Sequence, residues 1–174
     1  NKKENYLQAP VGLMDLTKQC TQQPLVIEFK DKTPHLLLIG SQSDLNEGLR
    51  SVLFSLLSTH SPDDLHIYML EFGQGLQDMP PYPHIGDIIL EKETEKIARA
   101  IELFESEFLK REEASRDENT PSAALPDWFL IINNFAGLYK KPDLYLRIIQ
   151  LITKNSHKYG IHILAMALRR TTNT

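Results

Sequence analysis

One stretch of the sequence decides the fold: His35-Leu-Leu-Leu-Ile39-Gly40-Ser-Gln-Ser-Asp44-Leu-Asn-Glu47. Residues 36–39 are all apolar, which is typical of a central strand in a parallel sheet that is covered on both sides. From residue 45 to residue 59, apolar side chains recur at helical spacing and predict an amphipathic helix that packs on this sheet. The stretch therefore predicts a buried strand, a turn at Gly40 and a helix, in that order.

Strands and helices alternate along the rest of the chain. Strands are predicted at residues 25–29, 66–72, 85–90, 128–133 and 161–167. Helices are predicted at residues 94–113 and 143–157, the second one capped by Asp143. Residues 73–83 and 114–127 are rich in Pro and polar residues and are predicted to be loops. This alternation predicts an α/β domain with a mainly parallel sheet covered by helices on both faces.

Length and composition bound the possible functions. At 174 residues with 41% hydrophobic content, the chain can bury one sizeable core, so we expect one domain over residues 1–174. The formal net charge is −4 and Lys and Arg are scattered, which disfavours nucleic-acid binding. The single Cys20 and the spacing of the six histidines predict neither a disulfide nor a metal site. No apolar stretch approaches the ~20 residues of a membrane-spanning helix, and we expect no signal peptide.

The turn after residues 36–39 is where a P-loop domain binds phosphate, because free backbone N–H groups and the helix dipole favour an anion there. A working P-loop reads Gly, four residues, then Gly-Lys-Ser or Gly-Lys-Thr. Counting onward from Gly40 places Leu45 at the second glycine, Asn46 at the lysine and Glu47 at the hydroxyl. The predicted degenerate nucleotide-binding loop consists of Gly40, Ser41, Gln42, Ser43, Asp44, Leu45, Asn46 and Glu47.

Each replacement opposes nucleotide binding for a different physical reason. The side chain of Leu45 hinders the close backbone approach that glycine permits, and Asn46 brings no charge to offset the β and γ phosphates. Asp44 and Glu47 add negative charge where a polyanion would sit. Such carboxylates contribute ~0.3–1 kcal/mol each at a helix N-terminus, because they take the place of the anion that the dipole favours. The domain can therefore fold with an empty site.

A second altered site follows the strand predicted at residues 128–133. P-loop enzymes place an Asp at the end of a later buried strand to hold magnesium, often followed by an acid that activates water. Here Asn133 and Asn134 cannot supply the negative charge that attracts a hard divalent cation. Ordinary turn residues would explain either altered site alone, but two in the right order favour P-loop ancestry. Glu71 and Asp78, at or beyond another strand end, are expected to position a loop.

Several short segments follow one another in a distinctive order. They are Val11-Gly-Leu-Met-Asp15 with Gln19 and Gln23-Pro-Leu25, His35 to Gly40, Ser61-Pro62 to Phe72, Pro83-His-Ile-Gly-Asp87, the helix ending in Lys110-Arg111, and Gly160-Ile-His-Ile163. Together they resemble the FtsK/SpoIIIE-type ATPase modules, specifically those repeated in the EssC/EccC coupling proteins of type VII secretion. The resemblance covers most of the chain and implies a P-loop NTPase fold of the RecA/FtsK type.

The resemblance also implies a setting for the domain. It implies a module in the cytoplasmic part of a membrane-anchored bacterial motor that exports small helical-hairpin proteins. Its expected partners are neighbouring ATPase modules of the same chain, further copies in a hexamer, and the secreted proteins or their C-terminal signals, with no nucleic acid. Because the chain stops soon after Ala167, before the final strands of such modules, we expect either a truncated C-terminus or disordered ends.

Three functions stay open at this stage. The departures at residues 45, 46, 47 and 133 favour a non-hydrolysing module that acts in substrate recognition, regulation or assembly. We then expect no cofactor, and ATP with Mg²⁺ only if the altered site still binds. The alternative is a weak ATPase completed by a neighbouring module, with Arg50 as a candidate phosphate contact one turn beyond Asn46. A DNA-translocating module is the third possibility, and the acidic charge balance opposes it.

Overall fold

The computed structural model describes residues 6–30, 33–116 and 125–169. In the described residues the strands are β1 (Gln8–Leu16), β2 (Thr21–Glu28), β3 (Leu36–Gly40), β4 (Leu65–Glu71), β5 (Ile85–Leu90), β6 (Asp127–Asn133) and β7 (Ile161–Leu168). The helices are α1 (Gln42–Thr59), α2 (Thr94–Ser115) and α3 (Pro142–Thr153), with short 3₁₀ turns at Thr17–Gln19, Phe135–Lys140 and Ser156–Tyr159. None of the described helices is long and apolar enough to cross a membrane.

Five strands form one parallel sheet in the order β3–β7–β6–β4–β5. Their carboxyl ends therefore lie along one edge, where Glu71 of β4 pairs in register with Asn133 of β6. β7 lies between β3 and β6, and Gly40 pairs with Leu168 at its end. This edge brings together the ends of the strands that carry the predicted site residues.

Helices cover both faces of this sheet. On one face α1 packs with Leu45, Leu49 and Leu53 against apolar residues of the central strands. On the other face α2 packs with Ile97, Ile101, Phe104 and Phe108 in a core that also includes Ile148 and Leu151 of α3. The predicted α/β fold with a parallel sheet between two helical layers is confirmed.

The strand predicted at residues 25–29 lies outside the parallel sheet. It belongs to β2, which pairs antiparallel with β1 in a separate two-stranded sheet. Most of β2 is exposed, and only its end and the following Phe29 approach the core. An apolar run alone therefore did not reveal which sheet the strand joins, and β1 was not predicted.

Two helix starts also differ from the sequence-based predictions. α1 begins at Gln42 rather than at residue 45, because Ser41 caps it. α3 begins at Pro142 with Lys141 in the capping position, and Asp143 lies in the first turn without capping the helix. Proline suits the first helical position, because the N–H that it lacks would have no partner within the helix and its fixed φ matches the helix. Of the predicted loop at residues 114–127, residues 117–124 lie outside the described part of the chain.

Candidate functional site

The candidate site is the crevice beyond the carboxyl ends of β4 and β6. The chain leaves β4 towards β5 at one side of the sheet and leaves β6 towards β7 on the other side. Ligands of open α/β sheets bind in the crevice where the connections diverge in this way. The end of β3 at Gly40 lies along the same edge, separated from β6 by β7. We call this region the crevice.

The predicted phosphate loop is folded as a helix. Six of its eight residues, from Gln42 to Glu47, belong to α1. The Ser41 hydroxyl accepts a hydrogen bond from the N–H of Asp44 (3.2 Å) and donates one to its carboxylate (2.7 Å). The N–H of Leu45 donates to the carbonyl oxygen of Ser41 (3.0 Å). These N–H groups are used inside the helix and its cap, whereas a P-loop leaves them free for phosphate.

Leu45 is part of the hydrophobic core. Its side chain is 3% exposed and packs in the cluster that joins α1 to the sheet. The position predicted for the second glycine of a P-loop is thus a core position here, and emptying it would leave a cavity. Ser43, Asp44 and Glu47 are exposed on the first turns of α1.

The loop between β4 and β5 crosses the start of α1. We call residues 72–84 the β4–β5 loop. The amide of Gln42 donates to Asn46 Oδ1 (3.0 Å) and to the carbonyl oxygen of Gln74 (3.1 Å). Gly75 has a φ of +121°, and a Cβ there would lie 2.6 Å from Asn46 Nδ2. Asn46, which counting from Gly40 assigns to the position of the P-loop lysine, therefore contacts the protein's own loop.

Glu71, the last residue of β4, anchors the same loop to the sheet. Its buried carboxylate accepts hydrogen bonds from the N–H groups of Gly73 and Leu76, both at 2.8 Å. It also accepts one from Asn133 Nδ2 at 2.7 Å. Charge-assisted hydrogen bonds are stronger than neutral ones, so this carboxylate holds the loop firmly across the crevice. The expectation that Glu71 positions a loop is confirmed.

Asn133 is 1% exposed, and its amide is committed to Glu71. Among the described residues, its Oδ1 atom has no hydrogen-bond partner. The Asn133 amide carries no charge of its own, and both oxygens of the Glu71 carboxylate accept hydrogen bonds from protein N–H groups. No cluster of three His, Cys, Asp or Glu in the described residues has the arrangement of a metal site.

Asn134 makes the turn after β6. Its backbone is left-handed (φ 57°), a conformation that asparagine tolerates better than most residues. Its amide donates to the carbonyl oxygen of Phe72 (3.2 Å), and the N–H of Phe72 donates to the carbonyl oxygen of Asn133 (3.1 Å). Both asparagines thus fasten the end of β6 to the end of β4.

The structure brings together some of the predicted residues and adds others. Asn46 and Gln42 meet the β4–β5 loop, and Asn133 meets Glu71 beneath it. The contacts of Gly75 could not be anticipated, because nothing in a single sequence specifies which loop crosses which helix. The sequence offered one local signal, a glycine at position 75, which permits the positive φ that the structure shows there.

The sheet order and the strand–turn–helix at Gly40 define a P-loop ATPase-type α/β domain. The family model described as FtsK/SpoIIIE family matches residues 2–173, and the chain belongs to that family. The resemblance inferred from the motifs is thereby confirmed.

Curated relatives are type VII secretion proteins. The chain is 29% identical to the type VII secretion system protein EssC of Staphylococcus aureus over 143 residues, covering 76% of this chain and 10% of that protein. It is 24% identical to the ESX-4 secretion system protein EccC4 of Mycobacterium tuberculosis over 178 residues, covering 94% and 14%. The chain thus spans between 10% and 14% of the length of these relatives.

Solved structures share the fold. EssC (ATPases 2 and 3) from Geobacillus thermodenitrificans matches with a TM-score of 0.80 and 19% identity, over 95% of this chain and 34% of that chain. Thermomonospora curvata EccC (ATPases 2 and 3), in complex with a signal sequence peptide, matches with a TM-score of 0.75 and 22% identity, over 95% and 33%.

Proposed function

We propose that this chain is a non-hydrolysing ATPase-type module of a type VII secretion motor, acting in substrate recognition, regulation or assembly. The observation that carries the proposal is that two parts of the chain itself, the start of α1 and the β4–β5 loop, lie where a nucleotide would bind. The residues of the phosphate loop form the start of α1, and the β4–β5 loop lies hydrogen-bonded across the crevice.

The energy needed to reopen the site supports this role. Unwinding the first turn of α1 loses the Ser41 cap, which contributes ~1 kcal/mol. Withdrawing Leu45 from the core costs a further ~1.5–3 kcal/mol. Releasing the β4–β5 loop removes the two hydrogen bonds that the N–H groups of Gly73 and Leu76 donate to the Glu71 carboxylate, and a hydrogen bond to a charged group contributes ~1.5–3 kcal/mol. ATP binding would have to offset all of these losses without the lysine charge.

The proposed partners follow from homology to multi-module proteins. We propose neighbouring ATPase modules of the same parent chain, further copies in a hexamer, and small secreted helical-hairpin proteins or their C-terminal signals. One structural relative, a pair of EccC ATPase domains, is in complex with a signal sequence peptide. We place the parent protein in a bacterial membrane, with this module on the cytoplasmic side.

Titration calorimetry with Mg-ATP tests the empty site. We expect no binding heat at micromolar protein and millimolar nucleotide. Micromolar, magnesium-dependent binding would overturn the proposal. Steady-state phosphate release should likewise stay at the level of a protein-free blank.

The alternative function is a weak ATPase completed by a neighbouring module. Glu71 is the specific observation in its favour, because it places a buried acid in the crevice. A reversion series that leaves the Glu71–Asn133 contact intact separates the two: Asn46→Lys with Glu47→Ser, with and without Leu45→Gly. On our proposal neither set gains phosphate release, because Glu71 still holds the loop across the crevice. Phosphate release above the wild-type level in the double variant would instead support the weak ATPase.

A further inference from the structure

A shallow groove lies beside the edge strand β5 and the second half of the β4–β5 loop. Its volume is about 410 Å³, and it is open on one side. Ile85 and Ile88 of β5 and Met79 of the β4–β5 loop line it, with Tyr82 beside them. Three prolines of the loop complete its wall: Pro80, Pro81 and Pro83. An open, mostly aliphatic surface suits an extended peptide better than an enclosed small molecule.

Strand addition to β5 is disfavoured by two carboxylates. Asp87 Oδ1 accepts the N–H of Ile88 (2.9 Å), and Glu93 Oε2 accepts the N–H of Leu90 (3.0 Å). β5 is at the edge of the sheet, and the N–H groups of Ile88 and Leu90 are two residues apart along it. An added strand would accept hydrogen bonds from N–H groups such as these, but the two carboxylates already accept them. A ligand at this edge must therefore be held by its side chains.

The charge of the groove specifies part of the ligand. Asp87 is the one charged side chain among the lining residues. Lys96 of α2 interacts electrostatically with Asp87. Its ammonium group, however, forms its ion pair with Glu93, at 2.8 Å. Asp87 thus keeps negative charge at an apolar surface, and a Lys or Arg side chain is its complement.

The groove and the crevice share one loop. The N–H of Leu76 is held by Glu71 in the crevice, and the N–H of Met79 donates to the carbonyl oxygen of Leu76 (3.1 Å). Leu76 is buried in the core, so its side chain, its N–H and its carbonyl oxygen are all held by contacts with the protein. The anchoring that blocks the crevice therefore also positions Met79 in the groove.

We propose that this groove binds an extended peptide segment that presents aliphatic side chains and one basic side chain, the latter to Asp87. The inference deepens the proposed recognition role and rests on it for the kind of ligand. It assigns recognition to the β5 side of the module, with the blocked crevice acting as the support of the loop.

Selection from a phage-displayed library of random peptides against the immobilised 174-residue chain tests the proposal. Peptides about 12 residues long can span the groove in an extended conformation at ~3.3 Å per residue. We expect enriched sequences with two or more aliphatic residues and a Lys or Arg. A selection that enriches nothing over the uncoated support, or enriches acidic sequences, would overturn the inference.

Methyl NMR then locates the enriched peptide. The chain has four methionines, and Met79 alone among them lines the groove. We expect its methyl signal to shift on titration, while those of exposed Met14 and buried Met69 and Met166 stay in place. Shifts at Met14 without a shift at Met79 would place the peptide elsewhere and refute the groove.

Matched variants complete the test. Tyr82→Ser should lower the affinity for the enriched peptide by ~10-fold, because it removes an aromatic anchor. Asp87→Asn should lower that affinity by ~5-fold, because it removes the charge while an amide oxygen can still accept the N–H of Ile88. Leu146→Ser and Asp143→Asn on α3 are the apolar and acidic controls and should not change its affinity. Equal affinities for all four variants would overturn the inference and leave the nucleotide measurements unaffected. Phosphate release by the wild type would contradict the non-hydrolysing role and leave the peptide results standing.

Discussion

Asn133→Asp, which restores the missing acid of the second site, is expected to destabilise the protein severely. Asn133 Nδ2 lies 2.7 Å from Glu71 Oε1, so the change replaces a hydrogen bond with two facing carboxylates in a buried place. At a charge separation of ~4 Å and an effective dielectric constant of ~20, their repulsion is about 4 kcal/mol. The lost hydrogen bond to a charged group adds ~1.5–3 kcal/mol.

The pH dependence gives this prediction its signature. Burial and Glu71 should raise the pKa of the carboxyl introduced at position 133 above its unfolded value of about 3.9. The electrostatic penalty is then absent below that value and grows by ~1.4 kcal/mol per pH unit as the pH rises, until the raised pKa is reached. A penalty of about 4 kcal/mol at pH 7 would thus fall to ~1.5 kcal/mol at pH 5.

Urea unfolding measures the effect through the single tryptophan, Trp128, which lies on the same strand. Asn155→Asp is the matched control, because Asn155 is exposed in a turn, and it should change stability by less than ~0.5 kcal/mol. Adding Glu71→Gln to Asn133→Asp should recover at least half of the loss by removing the repulsion. A destabilisation below ~1 kcal/mol that does not vary with pH would refute the Glu71–Asn133 contact and the reasoning built on it.

Two further predictions concern the edges of the sheet and the crevice. Burial, aided by His162 and His157, lowers the pKa of His35 to about 4, so stability should fall as the pH drops from about 6.5 towards 4. We expect about 1–2 kcal/mol after screening at this partly exposed ring, measured by urea unfolding against His35→Gln and by NMR titration of the ring. Gly75→Ala should cost ~1–3 kcal/mol, because its backbone is strained for alanine and the added Cβ meets Asn46. Asn46→Ala in the same chain should recover part of that cost, and a neutral Gly75→Ala would contradict the described loop path.

Sequence reasoning located the five strands of the parallel sheet because strands depend on local patterns. The apolar spacing of α2 placed its helix correctly. The apolar run before Gly40 predicted a strand, but β3 lies at the edge of the sheet with Leu37 and Ile39 exposed, so the prediction of a central strand covered on both sides is wrong. The start of α1 was missed because counting from Gly40 assumed a loop. Ser41 and Asp44 form a cap that ends that loop after one residue. The pattern Ser-x-x-Asp was visible in the sequence, but the P-loop spacing competed with it.

The contacts between Glu71, Asn133 and the β4–β5 loop could not be predicted in the same way. They join residues that are 62 positions apart, and they depend on β4 and β6 being neighbours in the sheet. Strand order follows from the whole packing arrangement, so no local pattern specifies which two strand ends meet. The sequence indicated the missing charges, whereas only the structure identifies the groups that replaced them.

Those replacements distinguish two kinds of altered nucleotide site: one that has only lost its charges, and one whose groups now form other contacts in the fold. An impaired site would leave its N–H groups and its crevice available, and restoring the lost charges would recover binding. Here the N–H of Leu45 is bonded in α1, its side chain fills the core, and Glu71 uses its carboxylate on the loop. Each of these three groups stabilises another part of the fold. Reversing one replacement therefore breaks an existing interaction, and this interdependence favours a module whose stability relies on the crevice staying closed.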